Sequence, residues 1–229
     1  MKNVVILGST GSIGKSTLDV IRNLEHKYNV VALSANSQWE LLSEQVREFK
    51  PESVSLANEQ YIDSLRNSLP DNSVQILTGA NSVREMVSKE NVDIVLSAIV
   101  GGAGLPAAIE AIKNRKTLAL ANKEALVMAG GLIMPLAKEN GVSIIPVDSE
   151  HSAVLQALRA GRRDEVKKII ITASGGPFRN HPIEKLSEVT KEEALNHPTW
   201  SMGNKITIDS ATMMNKALEV IEAKWLFDL

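Results

Sequence analysis

Short apolar, β-branched runs recur along the first two thirds of the chain, each followed by a longer stretch that mixes apolar and polar positions. The runs Val4 to Leu7, Asn29 to Leu33, Ser53 to Leu56, Val74 to Leu77, Val92 to Ser97, Thr117 to Leu120 and Val142 to Pro146 read as strands. The stretch Lys15 to Leu24 places Leu18, Val20 and Ile21 among polar residues, as an amphipathic helix does. Strand and helix alternating in this way predict a parallel sheet with helical crossovers.

The pattern changes near residues 146 to 150. Ser149 to Ala160 reads as a helix with Val154, Leu155 and Leu158 apolar, trailed by Arg159, Arg162 and Arg163 as a solvated cluster. Val166 to Ala173 reads as a strand that ends in Ser174-Gly175-Gly176-Pro177-Phe178. A Pro- and Gly-punctuated loop, His197 to Lys205, precedes a helix over Asp209 to Trp225. At 100° per residue Met214, Ala217, Leu218, Ile221 and Trp225 share one face of that helix, and Asn215, Lys216 and Glu219 fall opposite. Periodicity alone assigns that opposite face to solvent. The expected fold is therefore α/β, with an N-terminal Rossmann-like parallel sheet over residues 1–147 and a second α/β catalytic domain over 148–229.

Composition narrows the function classes. With 229 residues and 44% hydrophobic content the chain can bury a sizeable core. Its 25 basic against 27 acidic side chains give a net charge of −2, which offers no excess to neutralise a nucleic-acid backbone. No apolar run reaches membrane length, and the start runs into a strand without a signal-peptide pattern, so no membrane partner and a cytoplasmic location are expected. The absence of cysteine excludes disulfides, thiolate nucleophiles and thiolate metal sites. Any metal would then be held by carboxylate, imidazole or carbonyl groups, which suit Mg2+ or Mn2+.

Several motifs carry candidate chemistry. Gly8-Ser9-Thr10-Gly11-Ser12-Ile13-Gly14 follows a strand and opens a helix, the context in which a glycine turn brings backbone N–H groups to a pyrophosphate. After the second strand comes Ser34-Ala35-Asn36-Ser37-Gln38, without the acid that usually holds an NAD ribose. Small polar residues there leave room for a 2′-phosphate and favour NADP, while Arg22 and Arg47 lie too far along their helices to be assigned to it. Asn122-Lys123-Glu124 sits where a strand passes into a helix. Lys123 can donate to a substrate oxygen there, or Asn122 can be a helix cap with Glu124 favoured by the dipole and Lys123 solvated. Asp148 and Glu150 leave a strand end two residues apart; on an extended backbone both point one way, as paired ligands for a hard cation or as part of a solvated turn. Ser174-Gly175-Gly176 offers hydroxyl and backbone donors to an anion, and Trp200 and Met202 give the later loop an apolar side suited to a lid.

Taken in order, Gly-Ser-Thr-Gly-Ser-Ile-Gly, Ala-Asn-Lys-Glu, Asp-Ser-Glu-His-Ser, Ala-Ser-Gly-Gly-Pro-Phe and His-Pro-x-Trp-Ser-Met-Gly followed by Asp-Ser-Ala-Thr-Met-Met-Asn-Lys-Ala-Leu-Glu closely resemble the 1-deoxy-D-xylulose 5-phosphate reductoisomerase family. The resemblance implies an enzyme of non-mevalonate isoprenoid synthesis that uses NADPH and Mg2+ or Mn2+, with Co2+ as a further option. It converts 1-deoxy-D-xylulose 5-phosphate, a small phosphorylated sugar, to 2-C-methyl-D-erythritol 4-phosphate. Carried over to this sequence, Asp148, Glu150 and Glu219 resemble the metal-binding carboxylates, with Lys123 and Ser149 holding substrate oxygens nearby. Ser174, His197, Ser210, Asn215 and Lys216 resemble the phosphate-binding set, and Trp200 and Met202 the closing loop. The cofactor set covers Gly8 to Gly14, Ala35 to Gln38, Asn122, Glu124 and Gly203. Full-length members are expected to be homodimers and to continue past Trp225 into a further helical region, so the catalytic part reads as truncated at Leu229. Two other readings stand beside this one: a non-catalytic NADP-binding module, and an NADP-dependent oxidoreductase of the homoserine or semialdehyde dehydrogenase type.

Overall fold

The computed structural model describes the chain except residues 25, 70–73 and 201. It divides into two compact units, Met1–Asp148 and Ser149–Leu229. Among the described residues no helix is long and apolar enough to cross a membrane.

The first unit alternates strand and helix throughout. Its strands are β1 (Lys2–Leu7), β2 (Tyr28–Ala35), β3 (Ser53–Leu56), β4 (Gln75–Leu77), β5 (Ile94–Ser97), β6 (Thr117–Leu120) and β7 (Ile144–Pro146). The intervening helices are α1 (Ser12–Asn23), α2 (Trp39–Phe49), α3 (Ile62–Ser68), α4 (Ser82–Ser88), α5 (Leu105–Lys113) and α6 (Lys123–Asn140). All the strands lie in one sheet of order β4-β3-β2-β1-β5-β6-β7, and every pairing is parallel. The α/β expectation holds, each strand falling within a residue or two of the predicted run.

Both faces of the sheet are covered, which explains why its strands are near-continuous apolar runs rather than alternating ones. Val5, Ile6, Leu7, Ala32, Leu33, Val54 and Val95 are fully buried. Ile6 lies in register with Leu33 on one side and Leu96 on the other, so the central strand is packed through both neighbours. Strand order reverses between β1 and β5, and that switch is where open α/β sheets bind ligands at their carboxyl ends. Leu7 and Ser97 end the two strands in register, and the turn after β1 begins there.

The second unit is helical among its described residues. It holds α7 (Ser149–Leu158), α8 (Lys191–Leu195), α9 (Asn204–Ala211) and α10 (Met214–Phe227), with short 3-10 turns at Arg163–Glu165 and Ile183–Glu188. The expected strand at Val166 to Ala173 is extended but enters no ladder. A β-branched run becomes a strand only where a neighbour supplies hydrogen-bond partners, and no described strand pairs with it. It lines a groove with Val154, Ala157 and Leu158 of α7 instead, leaving Ile170 71% exposed. Val166 to Thr172 thus contributes no second sheet.

The helix expected over Asp209 to Trp225 is two helices. Met213 adopts a left-handed backbone, φ +60°, and separates α9 from α10. The sequence at that point, Thr-Met-Met-Asn, carries no glycine or proline to announce a break. α10 also buries the face that periodicity assigned to solvent: Glu219, Glu222, Ala223 and Phe227 are buried, while Met214, Val220 and Ile221 are exposed.

Candidate active site

Each unit positions its own part of the predicted residue set. In the first, Gly8 turns the chain out of β1 with φ +83°, and a Cβ there would meet Ala98 O at 2.7 Å. Gly14 is tighter still: its Cβ would lie 2.3 Å from Gly8 O and 2.5 Å from Ser9 Cα, so α1 can press on the turn only through a glycine. The amides of Gly8 and Ser9 donate to Ser34 O, tying the turn to the end of β2. Ser9 is fully buried, and its hydroxyl donates to Gln45 Oε1 at 2.7 Å while Gln45 Nε2 returns a bond to Ser9 O. The turn is thereby fixed from α2 as well as from the sheet. Thr10, Gly11, Ser12 and Ile13 complete it at the N-terminus of α1, where the helix dipole and backbone N–H groups favour an anion.

At the end of β6, Asn122 caps α6, its Oδ1 accepting from Ala125 N at 3.0 Å. Its amide nitrogen donates to Ile99 O and to Gly101 O, so the same side chain staples the loop after β5. Lys123 is not solvated. It is 6% exposed, and its Nζ lies 2.5 Å from Asp148 Oδ2. A buried ammonium is tolerable only with such a partner.

In the second unit Glu150 lies in the first turn of α7, not on extended backbone. The expected same-side geometry of Asp148 and Glu150 on a strand is therefore replaced: the chain turns helical at Ser149, directly after Asp148. Ser149 Oγ donates to Glu150 Oε2 at 2.6 Å. The other Glu150 oxygen accepts from Lys216 Nζ at 3.1 Å, and the same ammonium is in close contact with Glu219 Oε2. Asn215 Nδ2 donates to Glu219 Oε1 at 2.5 Å. Two carboxylates, Glu150 on α7 and Glu219 on α10, thus converge on the Lys216 ammonium, and Glu219 is only 1% exposed. Oxygen donors held this way suit a hard divalent ion, which prefers carboxylates.

The predicted anion-binding residues also converge within the second unit. Thr199 N and Trp200 N donate to His197 Nδ1 at 3.2 and 3.0 Å. Nδ1 is therefore the acceptor, and in the neutral ring Nε2 carries the proton, 3.2 Å from Ser174 Oγ. Gly176 has φ +65°, and a Cβ there would lie 2.5 Å from Ser210 O, so the Ser-Gly-Gly loop packs directly on α9 at Ser210. Trp200 is 61% exposed, Met202 is half-buried, and Gly203 leads into α9. Asn215 and Lys216, predicted with this group, engage Glu219 and Glu150 instead. The expected solvated arginines divide: Arg162 pairs with Asp164, and the guanidinium of Arg163 donates to Phe227 O at the end of α10.

The 1-deoxy-D-xylulose 5-phosphate reductoisomerase family matches residues 4–130, and its C-terminal domain matches residues 144–227. The chain belongs to the 1-deoxy-D-xylulose 5-phosphate reductoisomerase family. A reductoisomerase of that name from Thermoanaerobacter sp. (strain X514) is 55% identical over the whole chain, and one from Agathobacter rectalis is also 55% identical. The chain spans about 59% of the length of the first of these and 60% of the second. Among solved structures, a DOX-P reductoisomerase in complex with NADPH, fosmidomycin and magnesium aligns over the whole chain with a TM-score of 0.92 at 43% identity, the chain covering 59% of it. The reductoisomerase from Zymomonas mobilis in complex with NADPH gives 0.90 at 44%, again over 59% of that chain.

The reductoisomerase match covers the glycine turn, Lys123, Asp148, Glu150 and Glu219. Three buried residues beside these were not singled out from sequence. Gln45 fixes the glycine turn, and His151 and Glu222 lie together, 0% and 1% exposed, between α7 and α10. The available signals were slight: His151 directly follows Glu150, and Glu222 is one helical turn beyond Glu219 on the same face.

Proposed function

We propose that the protein acts as the NADPH-binding and metal-binding part of a 1-deoxy-D-xylulose 5-phosphate reductoisomerase, converting that sugar phosphate to 2-C-methyl-D-erythritol 4-phosphate. The observation that carries this reading is the convergence of Glu150 and Glu219 on Lys216 within the second unit, with Glu219 buried. A buried glutamate costs several kcal/mol unless it is compensated, and Glu219 is closed to solvent with the partly buried Glu150 sharing its lysine. Asp148, two residues before Glu150 in the sequence, would be the third carboxylate. Magnesium and NADPH in the solved reductoisomerase complexes support the assignment of both ligands.

A divalent cation, when bound, supplies Lewis acidity to a carbonyl oxygen. The protein's own contribution is orientation. Lys123 holds Asp148 at 2.5 Å, while Ser149 and Lys216 hold Glu150 from either side. Asn215 and Lys216 keep the Glu219 carboxylate in one rotamer. Ser174, the Nε2 proton of His197 and Ser210 would receive the phosphate, which needs several convergent donors; the contact of Ser174 with His197 supports this. The glycine turn would receive the NADPH pyrophosphate, with the acid-free Ala35 to Gln38 segment accommodating the 2′-phosphate. Trp200 and Met202 would exclude water when the loop closes.

The test is NADPH oxidation with 1-deoxy-D-xylulose 5-phosphate and Mn2+, before and after chelation. Activity that is lost with chelator and restored by Mn2+ is expected; undiminished activity in chelator removes the metal-dependent reading. Since the chain spans 59% of its relatives' length, the same assay on a chain of their full length separates the two roles. NADPH binding by both with turnover only by the longer one would make the present chain the ligand-binding part alone.

A further inference from the structure

The buried pair His151 and Glu222 has no part in the chemistry above. His151 is the third residue of α7 and Glu222 lies on α10, and both are closed to solvent. His151 Nε2 lies 2.9 Å from the backbone oxygen of Glu219. A carbonyl oxygen only accepts, so Nε2 carries a hydrogen and donates it. The opposite nitrogen, Nδ1, faces Glu222 Oε2 at 3.2 Å, an ion-pair distance with poor hydrogen-bond alignment. The ring also stacks on Phe227, with centroids 6.1 Å apart and planes 22° from parallel. The imidazole is thus held by its Nε2 bond and by the ring stack, with the Glu222 carboxyl beside Nδ1, and all three neighbours belong to α10.

We propose that His151 and Glu222 are a positioning pair for the carboxylate site: Glu222 orients the ring, and its Nε2 hydrogen anchors the α10 backbone at Glu219. This rests on the reading of Glu150 and Glu219 as metal ligands. Glu150 and His151 are consecutive on α7, and Glu219 is both the residue whose backbone His151 grips and the residue whose side chain meets Lys216 with Glu150. One short segment of α7 therefore sets the backbone of a carboxylate that its own neighbour must face. A helix sliding or rotating by part of a residue would separate the two carboxylates, and the imidazole bond to Glu219 O opposes that motion. In this role neither residue would itself be a ligand of the cation. The role resembles that of the groups that orient metal ligands, whose loss costs about 10–100-fold in metal affinity.

Asparagine and glutamine in place of His151 separate this from simple packing. Glutamine can place an N–H near the position of Nε2, whereas asparagine can reach only the region of Nδ1. Mn2+ affinity, read from the free-ion signal in electron paramagnetic resonance, is expected to fall about tenfold in His151→Asn and to stay within about threefold of the parent in His151→Gln. NADPH affinity should be the same in all three, because the cofactor residues lie on other elements. Equal losses in both variants, or an unchanged affinity in His151→Asn, would overturn the proposal. If the parent binds Mn2+ no better than Glu219→Gln does, the metal reading itself fails. The positioning role is then decided without metal, by the 15N resonance of the Lys216 ammonium that touches Glu219. It should move in His151→Asn and not in His151→Gln, and the reverse pattern or no movement in either sinks the role. For a protein whose variants do not fold, the imidazole 15N shifts of the parent suffice: a His151 ring without a proton on Nε2 could not anchor Glu219.

Discussion

The two units differ in the balance of apolar and charged residues that they bury. In the first, the interior is aliphatic: Ile6, Leu7, Leu33, Leu42, Leu56, Leu118 and Leu120 are closed to solvent on a parallel sheet. In the second, buried positions include His151, Glu219 and Glu222, while Val220 on the same helix is 58% exposed. An aliphatic interior is held by area and shape, which many arrangements satisfy approximately. A polar interior is held by hydrogen-bond direction, and a partly satisfied one is worse than none. The first unit is therefore a scaffold that tolerates adjustment, and the second a site whose side chains have little freedom.

The largest effect expected from breaking this contrast is on stability in the first unit. Leu33 is fully buried and in register with Ile6, so Leu33→Ala should cost about 2–5 kcal/mol in denaturant unfolding, with Mn2+ affinity of the folded fraction unchanged. A loss of Mn2+ affinity in proportion to stability would mean that the scaffold and the site are not separable. Next in size is Glu219→Gln. Glutamine keeps the shape and still accepts from Lys216 or Asn215, so the stability loss should be smaller, about 1–3 kcal/mol. Metal binding and metal-dependent turnover should nevertheless disappear from the titration range, because an anionic ligand is gone, while NADPH binding remains. Unaltered Mn2+ affinity in this variant would return Glu219 to a purely structural role.

The same contrast explains what could be read from the sequence. The strands of the first unit were legible because a strand buried on both faces must be an apolar run, and Val4 to Leu7 or Thr117 to Leu120 can hardly be anything else. The site was legible as a set of motifs but not as geometry. Helical periodicity reports which positions of α10 are apolar. It does not report that Glu219 and Glu222 find Asn215, Lys216 and His151 as partners, and those partners are what allow the glutamates to be buried. In the same way Val166 to Ala173 carries the composition of a strand, but a ladder depends on a neighbour that composition cannot reveal. Lys123 stood open between solvated and functional, and burial against Asp148 decides against the solvated alternative.

The smallest expected effect sharpens the contrast at the surface of the first unit. Arg22 of α1 makes two bonds to Glu48 of α2, Nε to Oε1 at 2.5 Å and Nη2 to Oε2 at 2.9 Å, and a further one to Asp19. These bonds account for Arg22, which was too far along its helix to be assigned to a cofactor phosphate. The Arg22 guanidinium holds the Glu48 carboxyl below the usual glutamate range, partial burial opposing it, and the carboxylates in turn raise Arg22 further above neutrality. A carboxyl whose folded pKa is lowered adds stability above its unfolded value, and loses it as pH falls through the folded one. Glu48→Gln should therefore lower the thermal midpoint slightly at neutral pH, less at high salt, and progressively less as pH drops below about 4.3. The two side chains are 49% and 44% exposed, so solvent screens the pair, and the shift should be far smaller than that of Leu33→Ala. If the two variants cost the same, ionic contact between helices would rival aliphatic burial in holding the scaffold. The distinction between a unit held by area and a unit held by bond direction would then fail in the first unit, where it is simplest to measure.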